Sequence, residues 1–313
     1  MLAIHISKDT LRYAQLVNFK GTPFIESLGK MDLGDLLQVP DTSNAEVTRA
    51  LAEKIAEIRD SAEFPDNSTH LVIDSSWFPT LIHNVDEELT ASDREKFLDW
   101  RFRELLDTSS ENYRIVHQAL TSQGAVDQKF LSIGIPNSFS SWVDKISRPS
   151  ELDVQNVILD IQSLGDLLST THLLEGDDNL QVILDNRSEG FTCWLFKSSD
   201  YVGHLHAVMD LEGKLSVDLM RGDPDLVKRV ARAVELALNG DQNPDTALAH
   251  IFYFSSTGSA STLTNLQNYP ESCQPLKLVE RINFRDPEFP NIDEYAVVVG
   301  ALSDEIRTGL SED

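Results

Sequence analysis

His204 and His206 lie two residues apart in a run that reads as a strand, Tyr201 to Val208, so both side chains fall on one face. Such a pair can begin a metal site, but no third ligand is evident. No Ser/His/Asp or Cys/His arrangement stands in a recognisable motif, so nucleophilic catalysis has no candidate. Cys193 alternates within a strand and reads as a small core residue. Asp177-Asp178 and Glu87-Glu88 read as solvated loops. Trp77, Trp100 and Trp142 fall in one stretch. Because aromatics concentrate at interface cores, one or two of them are candidates to line a docking groove.

These residues sit on a pattern that repeats. Leu2 to Ser7 opens a unit that closes on Met31-Asp32-Leu33, and Leu180 to Asp185 opens one that closes on Met209-Asp210-Leu211. The offset is about 178 positions at both ends (180 − 2 and 209 − 31), which indicates an internal duplication. Each copy reads as three strands joined by polar turns: Leu2–Ile6, Leu11–Val17 and Phe24–Leu28, then Leu180–Leu184, Phe191–Phe196 and Tyr201–Val208.

Between and after the copies, helices and strands alternate. Ser43-Asn44-Ala45-Glu46 is a capping-box pattern before Val47, Leu51, Ile55 and Ile58 at helical spacing. Leu71–Asp74 and Phe78–Val85 read as strands, and Thr90-Ala91-Ser92-Asp93 caps a helix through Phe97 to Leu106. Tyr113–Leu120 and Lys129–Ile135 pair about a turn at Gly124. A short helix, Asn137–Ile146, ends before Pro149. Val154–Leu159 is a strand leading into a helix from Ile161, and Asp223-Pro224 starts another with Val227, Val230, Val234 and Leu238 buried. Ile251–Phe254 is a strand, a helix runs through Leu263 and Leu266, Leu276–Val279 is a last strand, and Ala296–Leu310 is a terminal helix. The whole reads as an α/β protein of two similar lobes, 1–170 and 171–313, with an α/β insertion at about 71–148 in the first.

With 26 Lys+Arg against 51 Asp+Glu, the net charge is −25. That excludes nucleic acid and anionic headgroups as direct partners, and works at long range against a polyanion such as ATP. At 313 residues the chain suits two domains of roughly 150 residues each. Two cysteines do not make a disulfide framework, so a reducing cytoplasm is expected. No signal peptide is visible. The longest nearly apolar run, Tyr295–Leu302, falls well short of the roughly 20 residues of a membrane span.

The duplicated layout resembles the actin-like (ribonuclease H-like) fold, and within it the PilM-like proteins of type IV pilus assembly. The motifs that carry the resemblance are Ala3-Ile4-His5-Ile6-Ser7 at the first turn, Val157-Ile158-Leu159-Asp160 before an apolar helix, Ile183-Leu184-Asp185-Asn186-Arg187 at the second turn, Phe252 to Gly258 at the third, and Tyr295-x-x-x-x-Gly300. The resemblance implies a nucleotide site built around Ser7, Asp185 and Gly258. The first aspartate of that site is replaced by His5, the first glycine by Ser7 and the second glycine by Arg187. Glycines there let backbone N–H groups approach a phosphate, and aspartates hold Mg²⁺, so the site reads as vestigial, with no cofactor, no resident metal and no enzymatic turnover. This is similar to the non-hydrolytic members of the group, the GspL cytoplasmic domain and above all the MshI type of MSHA pili. The resemblance then implies a cytoplasmic scaffold, peripheral to the inner membrane. It would bind the N-terminal segment of a PilN-type membrane protein in an apolar groove, rimmed by acidic residues, between the first lobe and its insertion. Two alternatives stand beside it: an active actin-like ATPase using Asp185, Asp160 or Asp74 for Mg²⁺, and an adaptor of a type II secretion platform.

Overall fold

Apolar runs that cannot face water on either side form the centres of two sheets. The computed structural model describes residues 1–7, 10–33, 44–61, 68–86, 88–106, 112–120, 127–171, 173, 180–187, 190–197, 200–209, 215–222, 224–238, 249–255 and 273–310. β1 (Leu2–Ile6) is buried at every position. It pairs antiparallel with β2 (Thr10–Phe19) and parallel with β4 (Ser68–Ile73). β3 (Thr22–Asp32) and β8 (Asp153–Leu159) complete a five-stranded sheet in the order β3-β2-β1-β4-β8. Lys20 and Gly21, both at positive φ, make the two-residue turn between β2 and β3.

The second sheet repeats this plan. β9 (Leu180–Arg187), β10 (Gly190–Lys197), β11 (Asp200–Met209), β13 (Ala249–Ser255) and β14 (Cys273–Pro275) take the places of β1, β2, β3, β4 and β8. An additional edge strand, β12 (Leu215–Gly222), gives the order β12-β11-β10-β9-β13-β14. Pairing fixes the repeat more closely than the sequence does. Leu2 faces Gln15 and Val182 faces Leu195, so the hairpins repeat at 180 (182 − 2 and 195 − 15). The irregularity between Gln15 and Leu16 recurs between Leu195 and Phe196 at the same 180. The third strands repeat at 176 instead: Leu11 faces Met31, while Phe191, its counterpart at 180, faces Ala207 (207 − 31). The matching Met-Asp-Leu triplets are therefore out of structural register by two residues. The duplication stands on strand order and pairing.

α1 (Ala45–Ser61) covers one face of the first sheet through Leu51, Ile55 and Ile58. Its cap is Asn44, whose Oδ1 accepts from the N–H groups of Glu46 and Val47 at 3.1 and 3.2 Å. α5 (Pro224–Leu238) covers the second sheet through Val227, Val230 and Val234. The opposite faces of both sheets share one core with α4 (Asp160–Thr170) and α6 (Ala296–Gly300). There the hairpin register makes Ala14 and Trp194 equivalent, a small residue in one lobe against a large one in the other. α4 and α6 approach closely: Ser163 Oγ donates to the Val297 carbonyl, and a Cβ at Gly300 would overlap the Ser163 carbonyl.

The insertion comprises β5 (Thr80–Asp86), α2 (Ala91–Leu106), β6 (Tyr113–Leu120), β7 (Asp127–Pro136) and α3 (Phe139–Ser147), with sheet order β5-β7-β6. Thr90 closes the N-terminus of α2, accepting from Asp93 N at 3.2 Å and donating to Asp93 Oδ2 at 2.7 Å.

Several sequence expectations need correction. Leu71–Ile73, read as the start of the insertion, are the inner half of β4 in the central sheet, the counterpart of β13. The run Leu276–Val279 is not a strand: Lys277 turns left-handed at φ 53°, and Asp293 accepts from the N–H groups of Lys277 and Leu278 at 3.0 and 2.7 Å. The terminal helix is two pieces, α6 and α7 (Ser303–Leu310), broken at Ala301-Leu302. β12 was not anticipated. The turn at Gly124, the helix through Leu263 and Leu266, Ser43, Asp210, Leu211 and Asp223 lie outside the described residues. Among those described, no helix is long and apolar enough to cross a membrane.

Candidate functional site

The nucleotide-site expectation falls on the strand turns. Gly258 lies outside the described residues. Ser7 follows β1 and is buried. Its N–H and hydroxyl both donate to the Thr10 carbonyl, at 3.0 and 2.8 Å. Its Oγ also lies 2.9 Å from Thr10 Oγ1, which accepts from Arg12 Nη1 at 2.7 Å. The polar groups of this turn thus close on one another. The 180 register equates His5 with Asp185 and Ser7 with Arg187, so His5 holds in the first sheet the place that Asp185 holds in the second. Asp185 is buried on β9 opposite Thr192. Burial first, and Asp185 second, push the Cys193 thiol up, which keeps it an unreactive core residue.

The structure brings Asp74 and Asp160 together. Asp74 ends β4 and accepts from Ser76 N at 2.9 Å. Asp160 opens α4, and its Oδ1 accepts from Ser75 N and Ile161 N at 2.9 and 2.8 Å. Burial, then the charge of Asp74, push the Asp160 carboxyl up to about 7 against those hydrogen bonds. From the other lobe, Tyr201 Oη lies 2.5 Å from His204 Nδ1 on β11. Burial holds the Tyr201 hydroxyl up, with Asp160 adding, and holds His204 down at about 4, with Asp74 opposing. His204 is therefore neutral at pH 7. His206 does share its face, as expected, and its Nδ1 lies 3.2 Å from Thr192 Oγ1. No group of three His, Cys, Asp or Glu side chains suited to a metal occurs among the described residues.

The expected groove is present where the insertion meets the first lobe, with a volume of about 790 Å³. One wall is a face of the inserted sheet: Arg114, Val116, Gln118 and Leu120 alternate along β6, and Leu131, Ile133 and Ile135 along β7. α3 contributes Phe139, Val143 and Asp144. β8, the edge of the five-stranded sheet, contributes Val154, Val157 and Leu159. α4 presents Gln162, Asp166 and Ser169 at helical spacing, and Tyr201 reaches in from the second lobe. Val116 and Val157 are 37% and 41% exposed, an apolar surface left open by the described residues. The acidic rim is only half right, since Arg114 lines the groove together with Asp144 and Asp166. The tryptophans are elsewhere: Trp142 is fully buried, Trp100 is exposed on α2, and Trp77 does not line the groove. Arg114 and Asp166 were missed. Their signal is the alternation on β6 and the polar stripe on α4, which gains meaning only when the two elements face one space.

No family model and no curated protein matches the chain. Solved structures do. A chain of a PilM–PilN type IV pilus biogenesis complex is similar over 97% of this chain and 98% of its own, at 13% identity and a TM-score of 0.66. The cytoplasmic domain of EpsL, an inner-membrane component of the type II secretion system of Vibrio cholerae, is similar over 96% and 94%, at 11% identity and a TM-score of 0.47. A protein of actin-like ATPase fold and unknown function from Bacteroides thetaiotaomicron is similar over 95% of each chain, at 14% identity and a TM-score of 0.43. Strand order in the two sheets and the full-length match together establish the actin-like, duplicated α/β fold.

Proposed function

We propose that this protein is a cytoplasmic scaffold of a type IV pilus assembly machinery, of the MSHA type, held at the inner membrane through a partner. It docks the cytoplasmic N-terminal segment of a PilN-type membrane protein in the groove between insertion and first lobe. The observation that carries this reading is that groove: an open, mostly apolar surface bounded by a sheet edge and an uncovered sheet face. The full-length similarity to a chain of the PilM–PilN complex supports it. A peptide of the PilN-type protein from the same cell, titrated calorimetrically, should bind the wild-type chain and not a Val157→Glu chain. Absence of binding to either at any salt concentration would contradict the proposal.

We further propose that ATP is not turned over. The first turn is closed by Ser7, Thr10 and Arg12, and the aspartate position of that turn is His5. One observation favours the competing ATPase reading, the approach of Asp74 to Asp160 at the start of α4. Yet Asp160 Oδ1 already accepts two backbone N–H groups, and no third His, Cys, Asp or Glu side chain completes a metal-suited group with the pair among the described residues. Turnover lost on Asp185→Asn would decide for the ATPase.

A further inference from the structure

Two side chains of opposite charge line the groove from different elements, and the only charges of the fold that act on Asp166 among the described residues are those of Asp304 and Arg307. Arg114 projects from β6 and Asp166 from α4, and neither has an ion pair or side-chain hydrogen bond among the described residues. Their neighbours differ in this. Asp144 on α3 pairs with Arg148 at 3.2 Å, and Asp304 pairs with Arg307 at 2.6 Å, so the Arg307 charge that reaches Asp166 is already engaged. The same groove is lined by the apolar side chains Val116, Ile133, Ile135 and Val157.

An all-apolar occupant would cover Arg114 and Asp166 without partners, and taking an unanswered charge out of water opposes binding. An occupant with a complementary charge at each place keeps the apolar contact and removes that penalty. We propose that the groove selects a two-ended peptide segment: a Lys or Arg that pairs with Asp166, a carboxylate that pairs with Arg114, and an apolar run between them. This rests on the docking function above and adds to it the chemistry and direction of the ligand. The chain's −25 charge draws in the basic end at long range, while Arg114 fixes which way round the segment lies.

The test uses a random linear-peptide display library panned on the full chain, with the Val157→Glu chain as counter-selection. Enriched peptides are then measured by fluorescence anisotropy on wild type, Asp166→Asn, Arg114→Gln and, as a control away from the groove, Glu104→Gln. Enriched peptides should carry a basic and an acidic residue separated by apolar ones. Asp166→Asn and Arg114→Gln should each weaken them about fivefold, the scale of a partly exposed ion pair, and Glu104→Gln should not. Neutralising the peptide's basic residue should cost nothing further in the Asp166→Asn chain. Peptides that need Val157 but ignore both charges would overturn this proposal and leave groove docking standing. Loss at only one of the two residues would overturn its two-ended form. No enrichment over Val157→Glu would overturn both docking and selectivity.

Discussion

The inter-lobe cleft and the insertion groove meet along α4, and they treat polar groups in opposite ways. At the cleft, polar atoms are buried and engaged within the fold: Ser7 with Thr10, Asp160 with Ser75 and Ile161, Tyr201 with His204. In the groove, Arg114 and Asp166 stand open with no ion pair or side-chain hydrogen bond among the described residues, next to exposed Val116 and Val157. Polar groups bonded within the fold hold structure together, whereas open charges beside uncovered apolar area mark a surface that works by association.

That contrast can be broken at either end. The largest effect should come from Gly300→Val, which forces a side chain into the Ser163 carbonyl where α4 crosses α6. Overpacking of this kind costs about 3 kcal/mol, read as a lower denaturant midpoint. Val157→Glu should leave that midpoint unchanged, because Val157 is 41% exposed. It should weaken peptide binding more than about twentyfold by placing a charge at the centre of an apolar contact. Tyr201→Phe should destabilise by about 1–2 kcal/mol, since it leaves the His204 ring nitrogen unpaired in the core. Should Tyr201→Phe instead leave stability untouched, the cleft network would not be structural.

The smallest effect is a pH dependence. The Asp160 carboxyl titrates at about 7 in the fold, above its unfolded value. Its contribution to stability is therefore complete below the unfolded carboxylate range and is lost as pH rises through about 7. His204, held down at about 4, acts in the opposite sense: its contribution is present above the unfolded histidine value and is lost as pH falls through about 4. Between pH 5.5 and pH 8, Asp160→Asn should flatten the decline in melting temperature seen for wild type. An unchanged slope would mean that Asp160 is ionised in the fold and that the cleft is wetter than described.

Local features were legible wherever one segment carried its own signal. The apolar run Leu2–Ile6, the caps at Asn44 and Thr90 and the stripe Val227, Val230, Val234 each announced the element they form. Register was not, because a two-residue shift preserves face alternation. The Met-Asp-Leu triplets gave 178, where pairing gives 180 for the hairpins and 176 for the third strands. β12 was hidden because its outward residues Val217 and Met220 are apolar and exposed on an edge, so no buried–exposed alternation marks it. The groove was legible as a region only. Its walls come from β6, β8, α4 and β11, and nothing in Arg114 or Asp166 alone distinguishes them from any surface charge.

The central claim is that the groove, and not the cleft, is the working site. Paired calorimetric titrations of the full chain test it most directly, one with Mg·ATP up to millimolar concentration, the other with the N-terminal peptide of the PilN-type partner. The account predicts heat with the peptide, lost in Val157→Glu, and none with Mg·ATP. Micromolar Mg·ATP binding that disappears in Asp185→Asn, with no peptide heat, would contradict it.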